Sequence, residues 1–162
     1  MTDNTPSSIR ETLTRLLARR EHSERELYQK LQQRGISAQE LSPILEQFKQ
    51  RGWQSNLRFA ESFVRQRIAK GQGQLRIRNE LRERGVEDSA VNQALAEQDV
   101  DWFELAKTVH DKKFSRDALP LTAQQKQKHQ RYLQYRGFSP DQIQYACSCE
   151  FSHPGFKRKS TF

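Results

Sequence analysis

With 162 residues, 34% apolar and 30% charged, the chain lacks the material for one thick globular core and favours thin helical layers with wet outer faces. A net charge of +8 and an isoelectric point near 9.8 point to a polyanionic partner, whether DNA, RNA or an acidic protein surface. No run approaches the roughly 18 to 20 apolar residues of a spanning helix, and the amino terminus, MTDNTPSS, lacks the cationic and apolar regions of a signal peptide; no membrane role and a cytoplasmic location are expected.

Residues 1–8 are polar and read as a flexible tail. Ser8 and Glu11 have capping-box spacing, and Ile9, Leu13, Leu16 and Leu17 follow at i, i+4, i+7 and i+8, which predicts the first helix. Ser23 with Glu26 opens a second helix carrying Leu27 and Leu31; Gly35 closes it, and Ile36 is the apolar residue that folds back on such an ending. Leu41, Ile44, Leu45 and Phe48 mark a third, ended by Gly52. It begins either at Ser37, boxed with Glu40, or at Ser42 with Pro43 in the first helical position.

Trp53, Gln54, Ser55 and Asn56 lead into a second set, where Phe59, Ala60, Phe63, Val64 and Ile68 form a broad apolar stripe. Gly71 and Gly73 break that helix as a junction, too short of glycines and of a preceding strand to be a phosphate loop. Ile77 and Leu81 share a face of the next helix, which Gly85 stops, and Val91, Ala94 and Leu95 make the third. Asp99 or Asp101 caps a seventh helix with Trp102, Leu105, Ala106 and Val109 on one face. Phe114 to Leu121, with Pro120, reads as a loop. Thr122 with Gln125 begins the helix of His129, Leu133 and Gly137, and Ser139, Pro140 and Gln142 start the last one, with Ile143, Ala146 and Cys147 inward. Residues 151–162, containing Lys157, Arg158 and Lys159, read as a mobile basic tail.

One pattern recurs. Leu27, Leu31, Arg34, Gly35 and Ile36 return 50 residues later as Ile77, Leu81, Arg84, Gly85 and Val86, and 52 later again as His129, Leu133, Arg136, Gly137 and Phe138. With no period-two apolar run to predict a strand, the expectation is an all-α chain of three tandem three-helix repeats, 9–52, 53–98 and 99–150, forming an elongated, curved helical-repeat body.

Between Leu57 and Gly85 eight basic residues face three acidic ones. Arg65, Arg67, Lys70, Arg76, Arg78 and Arg82 are the candidate contacts there, Arg78 and Arg82 lying four apart with no acid at the intervening helical positions. Lys126, Lys128, Arg131 and Arg136 form a second candidate row in the third repeat, with Lys128 and Arg131 its leading contacts and Tyr132 beside it; core packing is the plainer role for Tyr132. Arg34, Arg84 and Arg136, each before its glycine, complement the helix dipole and need no functional role. His22, His110 and His129 are scattered and no nucleophile motif appears, so no enzyme is expected. Cys147, Cys149 and His153 lack a second ligand pair for structural zinc, so no metal or cofactor is expected.

The run Leu16-Leu17-Ala18-Arg19-Arg20 with His22-Ser23-Glu24, then Arg58-Phe59-Ala60, Lys70-Gly71, Arg76-Ile77-Arg78 with Glu80-Leu81 and Gly85-Val86, and Arg131-Tyr132-Leu133 with Arg136-Gly137-Phe138, resembles the RecX family of RecA regulators over residues 9 to 147. Where that family usually has paired aspartates before its Arg-Phe, Ser55 and Asn56 stand here. The resemblance implies a non-enzymatic, monomeric modulator that binds RecA filaments on single- or double-stranded DNA and dampens recombination, DNA repair and the SOS response. The competing expectation is a helix-turn-helix-like DNA- or RNA-binding module with no recombinase partner.

Overall fold

The structure is a computed structural model that describes residues 4–148. Cys149, His153 and the tail at 151–162 lie outside the described residues, as does the start of the N-terminal stretch. Among the described residues there are nine helices and no strand: α1 (Pro6–Arg19), α2 (Glu24–Gln32), α3 (Ala38–Gln50), α4 (Asn56–Ala69), α5 (Gln74–Glu83), α6 (Asp88–Glu97), α7 (Trp102–Phe114), α8 (Ala123–Arg136) and α9 (Pro140–Ser148).

The recurring glycine marks the same helix ending three times. After α2 the Ile36 N–H donates to the Leu31 carbonyl at 3.0 Å and the Gly35 N–H to Gln32 at 2.9 Å. Val86 to Leu81 (3.1 Å) with Gly85 to Arg82 (2.9 Å), and Phe138 to Leu133 (3.2 Å) with Gly137 to Gln134 (3.0 Å), repeat it. This crossed pair needs one residue at positive φ, and Gly35, Gly85 and Gly137 supply +81°, +75° and +96°. Ile36, Val86 and Phe138 then close over the last turn and are buried.

Helix starts follow the capping residues, with two departures from the sequence reading. The first helix begins at Pro6, with the Thr5 hydroxyl accepting from the Ser8 N–H, so Ser8 lies inside the helix and not at its cap. Pro6 takes the first helical position, where its missing N–H costs nothing. In α2 Ser23 caps Glu26, but the Glu26 carboxylate goes to Arg20 at 3.0 Å instead of closing the box. For α3 the Ser37–Glu40 box forms and Pro43 is carried inside the helix. Asp101, not Asp99, caps α7. Ser55 caps α4, while the Asn56 amide oxygen accepts from the Glu24 backbone N–H at 2.9 Å and so helps start α2.

The chain forms two compact units. The first comprises the residues up to Arg67 together with Ile77–Asp99, and the second Ile68–Arg76 together with Val100 onward. In the first, Ile9, Leu13, Leu27, Leu31, Leu41 and Leu45 are at most 1% exposed, and each such side chain contributes about 1.5 to 3 kcal/mol by leaving water. In the second, Ala106, Leu133, Phe138, Ile143 and Ala146 form the core, with Leu105, Tyr132 and Cys147 packed against it. Cys147 thus fills the apolar position read from the repeat.

Buried histidines anchor hydrogen bonds in both units. His22 is 3% exposed; its Nδ1 lies 3.0 Å from the Arg20 carbonyl and therefore carries the donated proton, and Gln54 donates to the His22 carbonyl at 3.2 Å. Burial first, and then the Arg20 charge, hold the His22 pKa below its ordinary 6.5. The unfolded chain therefore takes up a proton that the folded one refuses. The resulting stability is complete above about pH 6.5 and declines as the pH falls below it, until the folded-state value is passed. Urea midpoints should drop between about pH 7.5 and about pH 5.5, and His22→Asn should flatten that drop; an equal drop in the variant would assign the loss to other groups. In the second unit His110 and His129, scattered in sequence, meet at 3.0 Å.

Candidate functional site

Charge is unevenly divided. Over the described residues the first unit has 15 Lys or Arg against 13 Asp or Glu, while the second has ten against five. The excess that could meet a polyanion therefore sits mainly in the second unit, not in the middle repeat as a whole.

In the first unit most of the candidate arginines are occupied. Arg67 lies 2.8 Å from Glu80, both side chains about one-fifth exposed (20% and 19%), and its guanidinium is 4.3 Å from the Phe63 ring centroid. It is a packing element. Arg84 covers the same ring at 4.8 Å and lies 3.6 Å from Glu26. Arg78 donates to the Asn92 amide oxygen at 2.5 Å, and Arg82 pairs with Asp88 at 2.9 Å. These partners come from α6 and its start, which a count along one helix cannot see. The Arg82 pair is more than half exposed on both sides, so it is weak and leaves the charge accessible. Arg65 is exposed on α4. Beside it, burial and then the Glu97 carboxyl push Glu61 above the usual carboxylate range, against the opposing charges of Arg65 and Arg58.

A cleft of about 150 Å³ in this unit is lined by Arg20, Arg67 and Arg84, but also by Glu21 and Glu26. Its arginines are already paired, Arg20 and Arg84 with Glu26 and Arg67 with Glu80.

The second unit is built differently. The segment between α4 and α5 is clamped onto the end of α8: the Gly73 N–H donates to the Arg136 carbonyl at 2.7 Å and the Leu75 N–H to Gly137 at 3.0 Å. Arg76 lies against Gly137, its guanidinium 5.0 Å from the Tyr135 ring centroid. Gly71 turns at φ +75° where a Cβ would come 2.8 Å from Val109, and Arg136 Nη2 donates to the Lys70 carbonyl at 2.9 Å. This clamp brings Lys70 beside α7 and α8 and closes a cleft of about 350 Å³.

Its polar lining is Lys70, Lys112, Lys113 and Arg136, with Thr108, and it contains no acidic residue. Ile68, Leu105 and Val109 form an apolar part, and Tyr132 a wall. Lys113 Nζ and the Arg136 guanidinium each lie 5.6 Å from the Tyr132 ring centroid. Arg136 Nε is buried and makes no hydrogen bond among the described residues. Lys128 and Arg131 are exposed on α8, spaced with Tyr135 at i, i+3 and i+7 so that all three share one helical face. Of the eight candidate residues, then, the second unit holds Lys70, Arg76, Lys128 and Arg131, and the first holds Arg65, Arg67, Arg78 and Arg82.

Models of the RecX family match this chain three times in order: its first three-helix domain over residues 10–48, its second over 55–95 and its third over 99–147. A regulatory protein RecX of Vibrio vulnificus is 44% identical over 143 residues, covering 88% of this chain and 93% of the relative. The chain belongs to the RecX family. Another regulatory protein RecX, from Halorhodospira halophila, is 40% identical over 141 residues, 87% of either chain. A crystal structure of a regulatory protein RecX matches at a TM-score of 0.77 and 25% identity, covering 89% of this chain and 73% of that one. The RecX structure from Lactobacillus salivarius shares the fold at a TM-score of 0.71.

In this RecX-family chain, sequence reasoning missed Lys112 and Lys113 as site residues, and it placed Arg136 in the second basic row while giving it a helix-dipole role by default. The one local signal was the Lys112-Lys113 pair at the end of α7; nothing in spacing links it to Arg136 or Lys70. Tyr132 packs on the core, as read, and also walls the cleft. Among the described residues no group of three or more His, Cys, Asp or Glu is placed to hold a metal ion. No helix among them is long and apolar enough to cross a membrane.

Proposed function

We propose that this RecX-family chain is a non-enzymatic regulator that binds RecA filaments on DNA and inhibits their growth or persistence, and with it strand exchange and the SOS response. The observation that carries the reading is the acid-poor second unit, with ten basic residues against five acidic ones, in a chain whose relatives are named regulatory proteins. A recombinase filament on DNA offers phosphates and protein carboxylates along one surface, and exposed cations serve either. Lys70, Arg76, Lys128 and Arg131 are the leading contacts, with Arg65, Arg78 and Arg82 as further ones; Arg67 acts by holding α4 to α5.

The test is RecA-dependent ATP hydrolysis on single-stranded DNA with and without this protein. Inhibition by the wild type that weakens about tenfold or more in Lys128→Glu/Arg131→Glu supports the assignment, since two charge reversals remove several favourable pairs. Undiminished inhibition by that variant would remove α8 from the contact surface. Direct nucleic-acid binding without a recombinase is the second reading, favoured by the acid-free cleft. It predicts binding to duplex DNA alone, with a log-log salt slope of about −4.5 for five phosphate contacts.

A further inference from the structure

We propose that the cleft between α7 and α8 is a nucleotide site: its four cations take the phosphates and Tyr132 takes the base. This does not rest on the filament reading, because it concerns a ligand bound by the second unit alone.

The charge count comes first. A phosphate monoester carries about −1.5 to −2 at neutral pH, so Lys70, Lys112, Lys113 and Arg136 together match two or more phosphates, and the lining offers no carboxylate to oppose them. The cleft in the first unit, with its two glutamates among three arginines, is the internal contrast. Like charges gathered without acids in a recess repel one another, and an anion relieves that repulsion most when low-dielectric walls concentrate the field. Ile68, Leu105 and Val109 are such walls.

Geometry adds selectivity. Arg136 is anchored through Nη2 to the Lys70 carbonyl, while its Nε has no acceptor among the described residues. The guanidinium lines the cleft, and a phosphate oxygen is an acceptor its planar fork suits well. Tyr132 stands edge-on to Phe114, with ring centroids 5.4 Å apart at 85°, which fixes its plane while it lines the cleft. A fixed aromatic wall beside cations favours a flat π-system joined to phosphate over an acidic peptide, whose carboxylates carry no such group. The volume of about 350 Å³ lies within the range of about 300 to 1,000 Å³ usual for small-ligand sites. A free nucleoside triphosphate and a nucleotide unit of a single strand present the same chemistry, and binding tests separate them.

The full chain is titrated calorimetrically with ATP, with inorganic tripolyphosphate and with a four-residue oligothymidylate, in the absence of recombinase. Lys112 and Lys113 are exposed, so Lys112→Glu/Lys113→Glu is expected to keep the fold, and its melting curve checks that. A free-nucleotide site gives ATP binding at least tenfold tighter than tripolyphosphate, and at least tenfold weaker ATP binding in both the double variant and Tyr132→Leu. A strand site gives the same two losses with the oligothymidylate while ATP binds poorly. Binding of ATP and oligothymidylate that is undetectable, or unchanged in the folded double variant, overturns the proposal and leaves the regulatory reading standing. Equal binding of tripolyphosphate and the nucleotides overturns it as well, because a base would then have no place in the cleft.

Discussion

Gly73→Ala is expected to lower the stability of the second unit by about 3 kcal/mol, at the upper end of the cost of overpacking, and its melting temperature by on the order of 10 °C. The reason is proximity, not backbone conformation. A Cβ at residue 73 would lie 2.4 Å from the carbonyl carbon and oxygen of Gly137 and 2.6 Å from the Phe138 nitrogen, all backbone atoms that cannot rotate aside. Relief requires the segment at 68–76 to lift from the end of α8. That breaks the Gly73 to Arg136 and Leu75 to Gly137 hydrogen bonds and carries Lys70 away from Arg136. Gly52→Ala is the control. Its φ of +72° makes a side chain unfavourable, but nothing lies within 4 Å, so only about 1 to 2 kcal/mol of left-handed strain is expected. Melting followed by circular dichroism compares the two. A Gly73→Ala protein that melts with the wild type would show that the segment is not clamped, and the cleft would lose the element that places Lys70.

His129→Ala should cost a comparable amount, about 2 to 4 kcal/mol, through lost packing and two stranded hydrogen-bond partners. His129 is 2% exposed and lies at the core position that Leu27 and Ile77 hold in the other two repeats, one turn before Leu133. Its ring stacks on Phe114 with centroids 3.7 Å apart, and its two nitrogens reach His110 at 3.0 Å and Asp117 at 2.8 Å. His110 in turn meets Asp111 at 3.0 Å. The contacts from Asp111 through His110 and His129 to Asp117 tie α7, the loop after it and α8 into one hydrogen-bonded unit. His129→Ala empties the ring position and strands both His110 and Asp117. His129→Phe keeps the stack and loses only the polar links, and should recover part of the stability. Urea unfolding measures both, and equal losses in the two variants would mean that stacking on Phe114 contributes nothing.

Both predictions concern positions whose importance local sequence does not convey. Gly73 reads as the second glycine of a helix junction, and only the approach of Gly137, 64 residues away, explains why no larger residue fits. His129 reads as the first member of the recurring leucine and glycine pattern. That it buries a polar ring is decided by Phe114, His110 and Asp117 from α7 and the loop after it. The departure at Ser55 and Asn56 behaves likewise. Capping was legible for both, yet Asn56 caps a different helix, because its side chain meets the start of α2 and not its own.

What the sequence determined by itself is most of what closes within a few residues, the Ser8 and Glu26 capping roles excepted. The three glycine-ended helices, the Ser37, Thr122 and Ser139 boxes, and the inward faces of α1, α3 and α9 follow from hydrogen bonds and spacing no longer than two helical turns. Such interactions are fixed by neighbours along the chain, and the family pattern rests on them. The tertiary structure alone decided which cations remain available. Arg67, Arg78 and Arg82 find partners in other helices, while Lys70, Lys112, Lys113 and Arg136, spread over 67 positions, converge on a cleft without an acid. A charge acts through space with no preference for sequence distance, so its partner, or its lack of one, is settled only when the helices pack.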